Sequence, residues 1–524
     1  MNQSNEAAAL RSQGNALLAE GRIGEATDCY ARACTLAPQD ALSWLNHGFG
    51  LLSLGDFDGA KTSLRRSIAL DPGEADAHFL MGQIEARAGQ LDAALASYSH
   101  AVESQPGMAV AALEKARTLH ALTRFGEALT SIDAALVLEP DWADALHGRA
   151  KVLLELGRNE DAFASSERVL IQQPTFADAL ADAGTACMRM GRFDEAISFY
   201  ERGLAVDSAD ATLHWNYGLA LLTVGRFAQG WREYEWRWQA TEMASTQPAF
   251  TQTHARWNGE PLIGKTILVH AEQGLGDTLQ FVRFIPVLAG MAARVILQVP
   301  ATLVALCARI DPRCTVIPES ASPPAFDVHC PLLGLPAVLG TTIETITQPD
   351  RYLRSDPALR AQWEQRLGPR EGPRVGLVWS GGTLHKNDAN RSMPLATLLR
   401  GIPKGWQRVS LQREVRERDV AALKQAGVVH ASDALRTFDD TAALLDCVDV
   451  VVSVDTSVAH LAGAMGKPLL LLLPHVPDWR WLVDRTDSPW YRSAQLLRQG
   501  ADRAWEPLME RLHAELAARL RAGP

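Results

Sequence analysis

Three stretches of this 524-residue chain carry side chains whose types and spacing suit chemistry. In the first, His270-Ala271-Glu272-Gln273-Gly274-Leu275-Gly276-Asp277, an apolar run gives way to glycines and then to a carboxylate. Gly274 and Gly276 let the backbone approach a substrate where a Cβ would clash. Asp277, in the first turn of the helix expected there, can take a proton from an attacking hydroxyl. It can equally cap that helix through the free N–H groups. The second stretch, Val454-Asp455-Thr456-Ser457-Val458-Ala459-His460, also passes from strand to helix. A helix N-terminus offers unpaired N–H donors and partial positive charge, which suits a diphosphate. Thr456 and Ser457 add hydroxyls, and His460 lies one turn on. The alternative makes Asp455 a cap and His460 a packed, satisfied histidine. The third is the loop Ser380–Ser392, with Gly381 and Gly382 followed by Lys386 and Arg391. These two cations can neutralise a departing diphosphate, or the loop can simply be solvated surface. Ser380 and Gly381 open that loop, while Trp379 and Gln412 are candidates for contacts to a base or ribose.

The elements around these stretches alternate strand and helix. Short apolar runs at Thr266–His270, Arg294–Val299, Cys314–Ile317 and Phe326–Cys330 predict one parallel sheet. Runs at Arg374–Trp379, Gln407–Leu411, Val428–His430, Val450–Val454 and Leu469–Leu473 predict a second. Gly276–Leu288, Ala301–Arg309, Leu395–Arg400, Arg416–Gln425, Thr441–Cys447 and Thr456–Met465 read as helices. A polar stretch, Thr345–Pro373, separates the two sets. The expectation is two Rossmann-like lobes, at residues 260–350 and 372–524, because open parallel sheets bind ligands beyond their strand C-termini. No GxGxxG with a later acidic residue appears, which argues against a dinucleotide redox enzyme.

Before residue 245 a different period rules. Pro38, Pro72, Pro106, Pro140 and Pro174 stand 34 residues apart, with Ala26, Ala60, Ala94, Ala128, Ala162 and Ala196 in step. Gly14, Gly48, Gly82, Ala116, Ala150, Gly184 and Gly218 mark a second small-residue column, and Tyr30, Leu64, Tyr98, Ile132, Tyr200 and Tyr234 a bulky one. This pattern resembles the tetratricopeptide repeat, a helix–turn–helix unit of that length. Each unit must bury its apolar faces on its neighbours, so an α-solenoid of about seven units over residues 7–245 is expected. Such superhelices present concave surfaces, which suits a peptide partner. The last unit drifts into Trp231–Trp238, rich in rings and arginine, as expected of a repeat that packs on another domain.

Charge and composition narrow the choices. Residues 1–245 hold 20 basic and 33 acidic side chains, and residues 246–524 hold 31 and 28. An acidic first half disfavours nucleic acid. No apolar run reaches the ~20 residues of a membrane span. Met1–Asn15 lacks a basic region followed by an apolar stretch, and the seven scattered cysteines form no CxxC pair. A cytoplasmic protein without a zinc site is the expectation.

Gly274–Asp277, Asp455–His460 and Gly466-Lys467-Pro468 resemble the matching segments of bacterial heptosyltransferases, which have the two-lobed GT-B fold. With the loop Trp379–Arg391 and the tail Pro474–Trp481, the chain looks closer still to bacterial proteins that fuse tetratricopeptide repeats to such a domain. In architecture it is similar to O-GlcNAc transferases and repeat-containing flagellin glycosyltransferases. The resemblance implies an inverting, metal-independent transfer from a nucleotide-diphosphate sugar to Ser or Thr of a protein held by the repeats, with no cofactor. It carries Asp277 over as base, Thr456, Ser457 and His460 as the donor-phosphate site, and Lys386 as a leaving-group contact. Two departures stand out. Ser457 replaces the usual glycine of Asp-Thr-Gly, and its Cβ narrows the approach of phosphate. The repeats also lack a regular asparagine ladder: Asn46 and Asn216 fit it, whereas Leu80, Glu114, Gly148 and Asp182 do not. A saccharide or glycolipid acceptor, or a non-catalytic repeat scaffold, are the rival expectations. The loop Pro474–Trp481 lines the acceptor side or plugs the gap between lobes.

Overall fold

The computed structural model describes residues 3–240, 247–346, 348–383 and 387–522. They form two compact units, Met1–Ser208 and Ala209–Pro524.

Twelve helices, from Gln3–Ala19 to Phe193–Val206, make the first unit among the described residues. They come as six antiparallel hairpins. After the first, each opening helix starts 34 residues beyond the last, at Ala41, Ala75, Ala109, Ala143 and Ala177. The second helix of a hairpin stops two residues before the periodic proline, as at Leu36 before Pro38 and Leu70 before Pro72. Proline's lack of an N–H and the bias of its preceding residue away from helix account for that stop. The small columns explain themselves in contact. A Cβ on Gly14 would lie 2.5 Å from the Tyr30 ring, and one on Gly82 would lie 2.6 Å from Tyr98. The alanine column, Ala26 to Ala196, is fully buried.

The second unit opens with a seventh hairpin, Ala211–Thr223 and Phe227–Tyr234. Leu222, Phe227, Trp231 and Tyr234 are part of one apolar core with Trp257, Phe281, Trp479 and Trp490. Two five-stranded parallel sheets follow. The first consists of β1 (Ala255–Arg256), β2 (Thr266–His270), β3 (Arg294–Val299), β4 (Cys314–Pro318) and β5 (Val328–Pro331), ordered β1-β5-β2-β3-β4. The second consists of β6 (Arg374–Val378), β7 (Gln407–Ser410), β8 (Val450–Val454), β9 (Leu469–Leu473) and β10 (Ala494–Arg498), ordered β10-β9-β8-β6-β7. The central strands β8 and β9 are buried along their whole length, as their unbroken apolar runs require. The chain is therefore an α-solenoid followed by two parallel α/β lobes of GT-B-like form.

Several elements differ from expectation. Val428–His430 is no strand; only Val429 bridges, to Val409, because the turn at Gly427 (φ 61°) leaves no length for a ladder. The stretch Thr345–Pro373 contains a helix, Pro357–Leu367, whose first N–H groups donate to the Asp356 carboxylate. Its Asp-Pro start is a helix signal. The helix expected over Gly276–Leu288 is broken by a 3₁₀ turn, Val282–Phe284, since Pro286 cannot donate a backbone bond. The edge strands β1 and β10 were not expected: β1 has only two residues, and β10 interrupts its apolar residues with Gln495 and Arg498.

Candidate active site

The candidate groups come from loops that leave the C-terminal ends of β2, β6, β8 and β9, the end at which parallel sheets bind ligands. Two helix starts meet there. Leu275–Phe281 follows β2, and Ser457–Ala464 follows β8. A Cβ on Gly276 would lie 2.9 Å from His460 Cδ2 and 3.5 Å from Ser457 Cα, so glycine permits this crossing.

Asp277 accepts a hydrogen bond from the Gly274 N–H at 2.8 Å, the capping role, and its other oxygen pairs with the Arg480 guanidinium. The capping reading of Asp277 is seen here, together with an ion pair that the sequence did not foresee. Arg480 also donates to Gln280 Oε1 at 2.9 Å and Asp478 Oδ1 at 2.8 Å, and lies over the Trp479 ring. Being 8% exposed, it joins the first lobe to the loop after β9. The ring- and charge-rich loop through Trp481 thus fills part of the interlobe gap.

Asp455 is the second carboxyl here. Its backbone carbonyl accepts from Arg391 Nη1 at 3.0 Å, while its side chain lies 3.9 Å from His460 Nε2. Burial pushes this carboxyl up to about 6; nearby Asp478 adds to the rise, and Arg391 and Arg480 draw it back. Thr456 precedes the helix, and Ser457 and Val458, as its first residues, leave N–H groups without intrahelical acceptors. The half-buried Arg391 lies beside Gly381, whose missing Cβ would meet the guanidinium at 2.5 Å. The Arg391 Nε makes no hydrogen bond among the described residues. Lys386 lies outside the described residues.

Four candidates are placed differently from expectation. His460 is 5% exposed, bonds Tyr491 through Nδ1 at 2.9 Å and stacks on Trp481. Burial, with Arg480, Arg283 and Arg391 around it, holds its pKa well below the ordinary value. In this structure it is a packed ring bonded to Tyr491, the alternative that the sequence offered for it. Trp379 is fully buried, with Nε1 donating to Asp419, so it faces no base or ribose. Gln412 accepts from the Trp379 and Ser380 N–H groups and donates to the Ser380 carbonyl and hydroxyl. Gln412 and Ser380 therefore clasp each other and shape the loop after β6. Gly381 donates to Ser392, which donates to Asp388, itself paired with Arg416.

A cavity of ≈ 540 Å³ lies at the ends of β2 and β3, with Trp238, Phe250, His270, Gln273, Gln298 and Glu319 in its wall. Burial holds His270 down at about 3, so its ring is neutral. Sequence reasoning missed Arg480, Asp478 and Arg416; the only signal was the density of rings and charges in Pro474–Trp481.

Comparison with known proteins agrees with this architecture. Residues 45–109, 113–178 and 153–220 match tetratricopeptide repeat families, and residues 435–485 match glycosyltransferase family 9 (heptosyltransferase). That last segment holds Asp455, Thr456, Ser457, His460, Asp478 and Arg480. Protein FlbA of Caulobacter vibrioides is 30% identical over 316 residues, which cover 55% of this chain and 52% of that protein. The chain thus spans about half the length of this curated relative. Among solved structures, YrrB, described as a TPR protein with an unusual peptide-binding site, is 19% identical, covering 35% of this chain and 94% of that one, with a TM-score of 0.34. MamA is 22% identical over 33% of this chain and 94% of that one, with a TM-score of 0.31. The chain thus joins tetratricopeptide repeats to a domain that carries the glycosyltransferase family 9 signature.

Proposed function

We propose that this protein is an inverting glycosyltransferase that moves a sugar from a nucleotide-diphosphate donor to Ser or Thr of a protein held by the repeats, without a metal. The observation that carries the reading is the close approach of the Ser457–Ala464 helix start to Gly276, the residue before Asp277, with Arg391 donating to the Asp455 carbonyl beside it. In this reading the N–H groups of Ser457 and Val458, the Thr456 hydroxyl and Arg391 receive the diphosphate and stabilise the charge that develops as it leaves. Asp277 takes the proton of the acceptor hydroxyl as that oxygen attacks the sugar carbon from the opposite face. Arg480 orients the Asp277 carboxylate until the hydroxyl arrives. Residues 1–208 carry 17 basic and 29 acidic side chains, which favours a neutral or basic acceptor segment.

The test is intact mass of cellular proteins in cells that express the chain or its Asp277→Asn variant. A sugar-sized increment on a protein, present with the native chain and absent with the variant, is the expected result. Increments on free saccharide alone point to the rival acceptor. No increment, together with no thermal shift from any nucleoside diphosphate or its sugar, points to a scaffold.

A further inference from the structure

We infer that the seventh hairpin is a positioning element of the active site, with Tyr234 and Arg237 setting the geometry of the Asp277–Arg480 pair; this rests on the glycosyl-transfer reading of that site. Tyr234 occupies the bulky repeat column sixteen residues after Gly218, as Tyr30 follows Gly14 and Tyr200 follows Gly184. In those earlier units the phenol stays within its own hairpin: Tyr30 donates to Asn15, and Tyr200 meets Thr185. In the seventh unit the phenol oxygen instead accepts from Gln273 Nε2 at 2.8 Å. Gln273 has φ 58°, a left-handed conformation costly for a residue with a Cβ, so it needs an external hold. Three residues on, Arg237 grips Glu272 through both carboxylate oxygens, at 3.0 and 2.8 Å, with both side chains buried. The two residues that lead into Gly274–Asp277 are thus both fastened to the repeat.

The other half of the pair is fastened as well. Trp231 packs edge-on against Trp479 at 5.3 Å between centroids, and Trp479 immediately precedes and underlies Arg480. Trp231 is itself pinned by donation from its Nε1 to the Thr341 carbonyl at 2.9 Å. One hairpin therefore holds the loop that carries Asp277 and the turn that carries Arg480. A tyrosine at a repeat position where Tyr30 and Tyr200 bond within their own hairpins has here exchanged its local partner for Gln273.

The experiment uses the full chain and three variants: Tyr234→Phe, Gln273→Leu and the pair together, with Tyr30→Phe as control. Hydrogen–deuterium exchange is read over residues 271–281. Turnover is read as nucleoside diphosphate release from UDP-, GDP-, ADP- and dTDP-sugars. Tyr234→Phe and Gln273→Leu should each raise exchange in that segment about fivefold, the factor that one buried hydrogen bond represents. Each should lower kcat by a similar factor with KM for the donor unchanged, and the double variant should be no worse than either single one. Tyr30→Phe loses a comparable bond in the first unit and should leave kcat unchanged. Wild-type exchange and wild-type kcat in Tyr234→Phe would overturn the inference. If the native chain turns over none of these sugars, the transfer reading fails instead, and the exchange arm still decides whether Tyr234 holds the loop.

Discussion

Two carboxyls in the cleft differ in how the protein holds them. Asp277 is held in place by the Arg480 guanidinium and the Gly274 N–H. For Asp455 burial outweighs the attraction of Arg391 and Arg480 and moves its carboxyl up to about 6. Asp277→Asn removes the proposed base and should lower turnover by ~10²–10⁴ with donor binding retained. Asp455→Asn has a distinct signature in stability. Because the folded state keeps the Asp455 proton to a higher pH than the unfolded chain, stability falls as pH rises from about 4 to about 6 and then levels. Urea midpoints at pH 4 to 8 should therefore show the Asn variant gaining on the native chain across that window. A gap between the two that stays constant with pH would remove Asp455 from the titrating groups.

At the scale of elements, the repeats depend on close packing at one column. Gly82 sits against the Tyr98 ring, where a Cβ would be 2.6 Å away, whereas Gly148 has nothing nearer than 3.7 Å. Gly82→Ala should therefore destabilise the first unit by about 1–3 kcal/mol through overpacking. Gly148→Ala should be neutral or stabilise by up to about 1 kcal/mol, because alanine favours helix over glycine. Urea titration of the two variants checks the contrast; equal effects would mean that helix propensity alone governs both sites. The same physics explains Gly276 in the second unit, where glycine allows the Leu275–Phe281 and Ser457–Ala464 helices to cross against His460.

At the scale of the whole molecule, the seventh hairpin belongs with the α/β lobes. Leu222, Phe227, Trp231 and Tyr234 are at most 2% exposed within their shared core. Burying one such side chain contributes roughly 1.5–3 kcal/mol, and a domain's net stability is only about 5–15 kcal/mol. Removing four of them should exhaust most of that margin. A chain that begins at Ala209 is expected to melt cooperatively. One that begins at Gln247 should bind a hydrophobic dye and lack a cooperative transition, as followed by calorimetry and fluorescence. A cooperative melt from the shorter chain would make the hairpin a detachable repeat.

Most of the architecture was legible in the residues because it rests on local regularity. A 34-residue period forces stacked hairpins, since neither helix of a unit can bury its apolar face alone. Runs such as Val450–Val454 and Leu469–Leu473 can only be strands covered on both faces. The location of Asp277 and Thr456 at helix starts followed from the same pattern. What the sequence could not settle was the direction of each polar side chain, which depends on partners far away in the chain. Arg480 reaches Asp277 across 203 positions, and Gln412 clasps Ser380 across 32. His460 and Trp379, both read as possible ligand contacts, turn inward because the packing around them leaves no open face. Periodicity determined which elements form and where they end. Only the assembled lobes decided which of their charges meet, because an ion pair or a buried ring is a property of two surfaces brought together.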